Sequence, residues 1–488
     1  MRARVWGLLA IACPMAIAIT LAAMVTLRPS SANAVPGFAR QTGLSCQACH
    51  TVFPELTPFG RKFKLNAYVF TNVKQLEPIS ERGEKTLSLS DLPPLSLQLQ
   101  GSNTWISKAL PDNDPAVTDL SQQNTTQFPQ ALSLFYTGKI ADDLGAFLQL
   151  TWSPTSNAIG IDNSDLRFAN HGDFESIGVT DFIYGLMLNN NPTSQDVWNS
   201  TPAWGFPFIS TSVGVPPLAK VILDGQLAQE SVGFSGYLFL FNHLYVEAGG
   251  YRSAQTTFTN ATTGGPGPLD STAPQMRISG TAPYWRVAWE QDWGDHSLSV
   301  GTYGISARTH PHGTPPSLNF DGTTTPGTSG IGESGPTNTF TDVALDAQYQ
   351  YITDTHLFSA WTTWINEQRH FNNVTLADHT NNTLNTLRLT GSYFFRRKIG
   401  ASVQSFSTTG SRDAVMYASG TPVVGSVNGK PNTQGYMFEV DFLPWLNTKL
   451  GTQYVLYTRF NGRSNNYDGF GRNASNNNTV YVFVWTVF

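Results

Sequence analysis

The sequence predicts an all-β protein: an antiparallel transmembrane β-barrel of about sixteen strands behind a short N-terminal segment of different character. Three observations carry this expectation. Segments of about ten residues alternate apolar and polar side chains from Leu92 onward, the mark of a transmembrane strand. The connections between them alternate short and long. Only 13% of the 488 residues are charged, while 12% are aromatic. Mean hydropathy is slightly negative, which excludes a bundle of apolar helices.

The first element is a processing signal. Arg2 and Arg4 precede an apolar stretch from Val5 to Leu27, and Ala32-Asn33-Ala34 has the small-residue pattern of a cleavage site. Residues 1–34 are therefore expected to be a signal peptide, and the mature chain to begin at Val35. The alternative is an uncleaved anchor, since the stretch is long enough to span a bilayer. Cleavage removes Cys13 and leaves Cys46 and Cys49 as the two remaining cysteines. It also removes Arg2, Arg4 and Arg28 and no acid, which moves the formal charge from −5 to −8. Such a chain lacks the basic patch that a nucleic-acid partner requires.

The second element, residues 35–89, centres on Cys46-Gln47-Ala48-Cys49-His50. C-x-x-C-H is the spacing of a c-type haem attachment site. Two thiols three apart can add to the two vinyl groups of one porphyrin. The adjacent imidazole of His50 can then reach the iron as proximal ligand. A redox dithiol or half a zinc site also uses C-x-x-C. A zinc site needs two further ligands, and no other Cys or His lies between Val35 and Asn170. The segment has five bases (Arg40, Arg61, Lys62, Lys64, Lys74) and one acid, Glu55, between Val35 and Lys74. The bases suit haem propionates or a solvated face equally. Phe53, Phe59, Phe63, Leu65 and Tyr68 are candidates to pack on a porphyrin, and Pro54 and Pro58 keep the chain irregular. The segment is too short for a core of its own.

The third element, residues 90–488, is the expected barrel. Val343–Tyr351 sets Val, Leu, Ala, Tyr and Tyr against Ala, Asp, Gln and Gln. Trp285–Glu290 sets Arg286 and Glu290 against Trp285, Val287 and Trp289, and Tyr436–Phe442 sets Met437, Glu439 and Asp441 against aromatics. A side-chain period of two gives each strand a lipid face and a lumen face. Arg286, Glu290, Asp346, Arg388, Glu439, Asp441 and Lys449 are thus expected to line the lumen. Short connections fall at 141–143, 242–243, 294–296, 354–356, 396–398 and 444–447. Long ones fall near 108–128, 189–219, 254–277, 307–340, 407–433 and 458–477, which is the periplasmic-turn and outer-loop asymmetry of outer-membrane barrels. The last strand, Thr479–Phe488, is apolar on both faces, which favours contact with a plug. An even strand count puts both barrel ends in the periplasm, so the segment either plugs the lumen or hangs beneath it.

Phe38-Ala-Arg-Gln-Thr-Gly43, Cys46-x-x-Cys-His50 and Pro54-x-Leu-x-x-Phe-Gly-Arg-x-Phe-Lys64 together resemble the fused outer-membrane monohaem cytochrome c–porin family, the iron-oxidising outer-membrane cytochrome type. The resemblance spans about thirty residues by motif and the rest by architecture. It implies one covalent haem c on Cys46 and Cys49, with His50 as its iron ligand. It further implies an electron-transfer or iron(II)-oxidising role, from extracellular Fe(II) to a periplasmic electron carrier, in the lipid of the bacterial outer membrane. Other donors and acceptors remain open, as does a porin-like channel whose segment is a haem-bearing plug or gate.

The distal ligand is not in the segment, which has no second His and no Met. Candidates are a lysine, the N-terminus or barrel residues. His171, His243, His296 and His356 are expected at the periplasmic rim; His310, His312, His370 and His379 near the outer loops; Met187 and Met437 on strands. His310-Pro-His312 also has the spacing for one metal on an extended chain.

Overall fold

The structure is a computed structural model that describes residues 37–69, 94–110, 123–153, 158–174, 179–205, 211, 213–254, 276–311, 317–318, 324–325, 336–372, 377–420 and 422–488. The expected signal peptide and the link at 70–93 lie outside them, as do Lys74 and His312.

One continuous antiparallel sheet closes on itself. Its staves are β1 (Leu95–Ile106), β2 (Asn124–Ala141), β3 (Leu144–Ser153), β4 (Ala158–Ile161, resumed at Asp165–Phe174), β5 (Val179–Asn189), β6 (Ser231–Leu240), β7 (Leu244–Ser253) and β8 (Met276–Ile278, resumed at Ala282–Trp293). The ring continues through β9 (His296–Pro311), β10 (Asn338–Ile352), β11 (His356–His370), β12 (Asn381–Phe395), β13 (Ile399–Gly410), β14 (Thr433–Trp445), β15 (Thr448–Arg459) and β16 (Thr479–Val487). Closure is made by β16 on β1, from Gln98 opposite Val487 to Ile106 opposite Thr479. Sixteen staves close the ring and leave no edge strand.

The alternation predicts the faces. Leu186, Phe234, Trp285, Val287, Leu345, Leu389, Phe438 and Val440 point outward and are exposed, a belt that only lipid can cover. Arg286, Glu290, Asp346, Glu439, Asp441 and Lys449 point inward and are buried. Arg388 faces in as well, and its guanidinium pairs with Asp224. The lumen charges are paired with one another: Lys449 Nζ lies 2.7 Å from Glu439 and 3.2 Å from Asp441.

The tight turns gather at one end. Phe241 and Asn242 in the β6–β7 turn and Arg396 and Arg397 in the β12–β13 turn have positive φ. Such two-residue turns match the twist of the strands they join. At the other end the strands outrun the expected boundaries, since β9 and β10 still pair at Thr309 opposite Asn338.

One expectation is corrected. The connection near 189–219 is not an outer loop; residues 190–205 and 213–230 turn into the lumen. Gln195, Asp196, Trp198 and Ser200 are wholly buried there. Asp196 accepts N–H bonds from Trp198 and Ser200, which closes a compact turn. Further along, Val221, Ile222, Leu223 and Leu227 pack on Tyr251, Tyr284, Ile305 and Leu384 of the wall. A polar-looking connection folds inward because its Trp198, Val221, Ile222 and Leu223 find an apolar partner surface there.

The N-terminal segment also lies in the lumen, at the short-turn end. It forms α1 (Gly37–Thr42), α2 (Cys46–Cys49) and α3 (Pro58–Leu65). Thr57 caps α3 by accepting the Gly60 N–H, and Pro58 occupies the first helical turn. The helix carries Arg61, whose guanidinium is buried against the wall: Nε to Glu290 at 2.7 Å, Nη1 to Gln350 at 2.8 Å and Nη2 to Ser297 at 2.5 Å. Arg61 is therefore neither a propionate partner nor part of a solvated face. On β3, Gly145 is required by close approach, because a Cβ there would stand 2.0 Å from the Ala67 carbonyl oxygen.

Replacing Arg61 by Ala leaves Glu290 buried without its cation, which costs about 3–5 kcal/mol. The plug should then leave the wall more often, and trypsin should cut at Lys62 in the folded barrel faster than in the wild type. Equal resistance to trypsin would show that the ion pair does not hold the plug.

Candidate functional site

The C-x-x-C-H residues sit on one side of an open cavity between the plug and the wall. Cys46, Cys49 and His50 all line it. The plug adds Phe38, Phe53, Phe63 and Tyr68; the wall adds Phe135, Phe147 and Trp485; the inward connection adds Asn199 and Trp204. The cavity is thus aromatic on several sides, with Gln98, Thr137 and Gln149 as polar points.

Local sequence explains the placement. Cys46–Cys49 make a single helical turn, closed by the His50 N–H to the Cys46 carbonyl at 2.9 Å. A turn of this length puts residues three apart on one face. His50 then leaves the helix in extended conformation. Thr57 Oγ1 donates to the Ala48 carbonyl at 2.6 Å, and the Thr57 N–H to that of Cys49 at 3.0 Å, so the start of α3 holds the end of α2. Gly60 permits this contact, since a Cβ would stand 2.2 Å from the Cys49 oxygen. The wall grips the same turn: Arg397 donates to the carbonyls of Gln47 at 2.6 Å and His50 at 3.3 Å.

The imidazole is set by its neighbours. Nδ1 of His50 donates to the Glu55 carbonyl at 3.2 Å, so its other nitrogen keeps the lone pair a metal needs. Burial pushes the imidazole down from 6.5 to about 4, which keeps it neutral at ordinary pH. Glu55 is itself buried, accepting from Thr51 at 2.8 Å and Ser392 at 3.0 Å, and burial raises its carboxyl. The thiols are pushed up too, Cys49 to about 11, by burial and by Cys46. Two protonated thiols, one neutral imidazole with a free nitrogen, and an aromatic slot fit one haem.

The other expectations divide. Phe53, Phe63 and Tyr68 line the cavity. Phe59 is 39% exposed, and Leu65 packs in a separate cluster with Met187 and Trp198. Lys64 lies on the cavity edge, but its ammonium donates to the carbonyls of Ser194 and Asp196 and to Asn199, which uses all three protons. None of the barrel histidines or methionines named above lines the cavity among the described residues. His171 binds Asn66 at 2.7 Å and Asp181 at 2.9 Å; His296 and His356 bind Tyr349 and Tyr393, each at 2.7 Å. They are rim residues at the short-turn end, as expected. His310 is buried at the long-loop end, with its Nδ1 unpaired.

Sequence reasoning missed Glu55 as a support for His50, and Trp204 and Asn199 as lining. The signal for Trp204 was an aromatic, like Trp198 before it, in a connection otherwise rich in small and polar residues. Trp485 was foreshadowed by the final strand's two apolar faces, and its ring packs on Phe53 with centres 5.3 Å apart.

No family model matches the chain, and no curated protein matches it. Among solved structures it is similar in fold to a loop-deletion mutant of OmpT, an outer membrane protein of Vibrio cholerae, at 12% identity and a TM-score of 0.42, over 81% of this chain and 98% of that one. It is also similar to the outer membrane channel DcaP of Acinetobacter baumannii, at 12% identity and a TM-score of 0.41, over 81% and 96%. Salmonella typhi OmpF follows at 10% identity and a TM-score of 0.40, over 81% and 97%. The sixteen-stranded barrel is established by the chain's own strand pairing.

Without haem, the site should be pH-sensitive. The folded imidazole resists protonation down to about pH 4, while an unfolded one takes its proton near 6.5. Plug docking is therefore strongest above about pH 6.5 and weakens as pH falls toward 4, by at most about 3 kcal/mol. In the Cys46→Ser, Cys49→Ser protein, this shows as plug release in that window, followed by Trp485 fluorescence. Adding His50→Gln should flatten the profile; an unchanged profile would rule out His50 as the cause.

Proposed function

We propose that the chain is an outer-membrane electron carrier with one haem c, attached through Cys46 and Cys49 and ligated by His50. Electrons pass from an extracellular donor, Fe(II) in the first instance, to a periplasmic carrier. The observation that carries this reading is the convergence of Cys46, Cys49 and His50 on one aromatic cavity inside a lipid-facing barrel. Haem would supply a one-electron couple there. The protein's part is to hold and tune it. Gly60, Thr57 and Arg397 fix the helical turn that presents the thiols. The Glu55 carbonyl orients the His50 ring. The aromatic lining excludes water, which tunes potential through burial. The Fe(II) reading makes the chain an oxidoreductase, an iron(II) oxidase in effect.

A second reading is a porin-like channel gated by the plug. The charged lumen wall, with Arg286 on Asp346 at 2.8 Å, favours it, as does the partly exposed Arg388–Asp224 pair.

The test uses full-length protein from cells that mature c-type cytochromes. The pyridine haemochrome spectrum should show one thioether-linked haem per chain, lost in Cys46→Ser and Cys49→Ser. Stopped-flow mixing of oxidised protein with Fe(II) should then raise a reduced c-type α-band. A haem that dithionite reduces and Fe(II) does not would turn the donor assignment away from iron. A haem-free protein with single-channel conductance would establish the gated channel instead.

A further inference from the structure

The inner face of β16 carries a file of aromatic rings whose lower end meets the site. Tyr481, Phe483 and Trp485 point inward and are buried, while the alternate Val482 is 40% exposed on the lipid side. The His50 and Phe53 ring centres are 4.2 Å apart, and those of Phe53 and Trp485 are 5.3 Å apart. Phe483 is the next inward residue and packs in the same cluster. Its ring stacks on Tyr481 with centres 5.1 Å apart and planes at 25°. The hydroxyl of Tyr481 donates to Gln130 at 2.6 Å, and the Lys449 ammonium sits 5.5 Å over the Phe483 ring. These anchors fix the rings in place.

The file is out of keeping with its neighbours. The flanking inward positions are polar: Gln98, Ser102 and Thr104 on β1, and Lys449 and Gln453 on β15. A polar lumen face is the ordinary pattern of such barrels. Contact with the plug accounts for Trp485. It does not account for Phe483 and Tyr481, which stand two and four strand positions further toward the long-loop end. Those four positions cover about 13 Å.

We infer that Tyr481, Phe483, Trp485 and Phe53 form the electron path from the long-loop half of the barrel to the His50 site. This rests on the haem reading above. Electron tunnelling falls off steeply across gaps between non-bonded groups, and rings in van der Waals contact keep those gaps small. The step is a single electron transfer. The external Fe(II) becomes Fe(III), and the ferric haem iron becomes ferrous. No bond forms or breaks, no proton moves, and the rings act as bridges without being oxidised themselves.

The experiment uses haem-loaded, full-length protein in proteoliposomes, with Fe(II) supplied on the long-loop side. Haem content is read first, by pyridine haemochrome. Phe483→Leu should slow haem reduction by about tenfold, which corresponds to about 1.4 kcal/mol on the barrier. Phe483→Tyr, which keeps a ring, should restore the rate. The absorption spectrum and midpoint potential should stay as in the wild type. Independently of turnover, fluorescence assigned to Trp485 by difference with Trp485→Phe should be quenched in loaded protein and recovered in the Cys46→Ser, Cys49→Ser form. Tyr481→Leu serves as a second variant if Phe483→Leu does not insert, with the same slowing expected. A folded, loaded Phe483→Leu or Tyr481→Leu protein reduced at the wild-type rate would overturn the path and leave the haem assignment standing. Absence of covalent haem from the wild type would overturn that assignment, and the path with it.

Discussion

The carboxylate of Glu290 ties three parts of the chain into one interior. It belongs to β8 of the wall, it accepts from Arg61 of the plug at 2.7 Å, and it accepts from the Trp198 indole of the inward connection at 2.6 Å. All three side chains are buried. A charge pair withdrawn from water is costly unless its remaining hydrogen-bonding capacity is met. Here Gln350, Ser297 and the Leu56 carbonyl take further N–H groups of the guanidinium, and the indole donates to the same carboxylate oxygen. Plug, wall and connection consequently fix each other's positions. The cavity with Cys46, Cys49 and His50 is the space this arrangement leaves toward β1–β3 and β16.

Much of the fold was legible because a barrel in lipid has little freedom. Every outward side chain must be apolar and every inward one can be polar, so Trp285-Arg286-Val287 fixes its own facing. The turns were legible for a similar reason, as Arg396 and Arg397 or Phe241 and Asn242 stand in tight reversals between long apolar runs. The inward course of residues 190–205 and 213–230 was not legible. Its apolar residues, Trp198 and Val221–Leu223, are separated by more than twenty mostly small and polar positions, and their partners on β7 to β12 are distant in sequence. No local period records such a contact.

The site was legible in its chemistry and not in its support. Cys46, Cys49 and His50 stand in a spacing that few other chemistries need. The basic residues of the segment carry no such signature. Arg61 and Lys64 have the composition of a solvated face, yet both are buried and bonded to distant residues. Glu55 likewise reads as a lone acid, whereas its carboxyl is held by Thr51 and Ser392 and its carbonyl by the His50 ring. These roles depend on what the wall brings to them, across more than two hundred residues of sequence for Arg61.

The position of the site gives the proposal its mechanical sense. A haem held at the short-turn end of the lumen is close to a carrier on that side, through the turn that bears Arg397, and far from a donor at the long-loop end. The measurement that tests this account most directly is a cryo-EM map of the protein extracted from membranes of cells that mature c-type cytochromes. Haem attachment at this site predicts flat density continuous with Cys46 and Cys49 in the cavity beside Phe53, Phe147 and Trp485, with the His50 ring on its metal and Arg61 on Glu290. A cavity empty of such density, or a plug hanging clear of the wall, would contradict it.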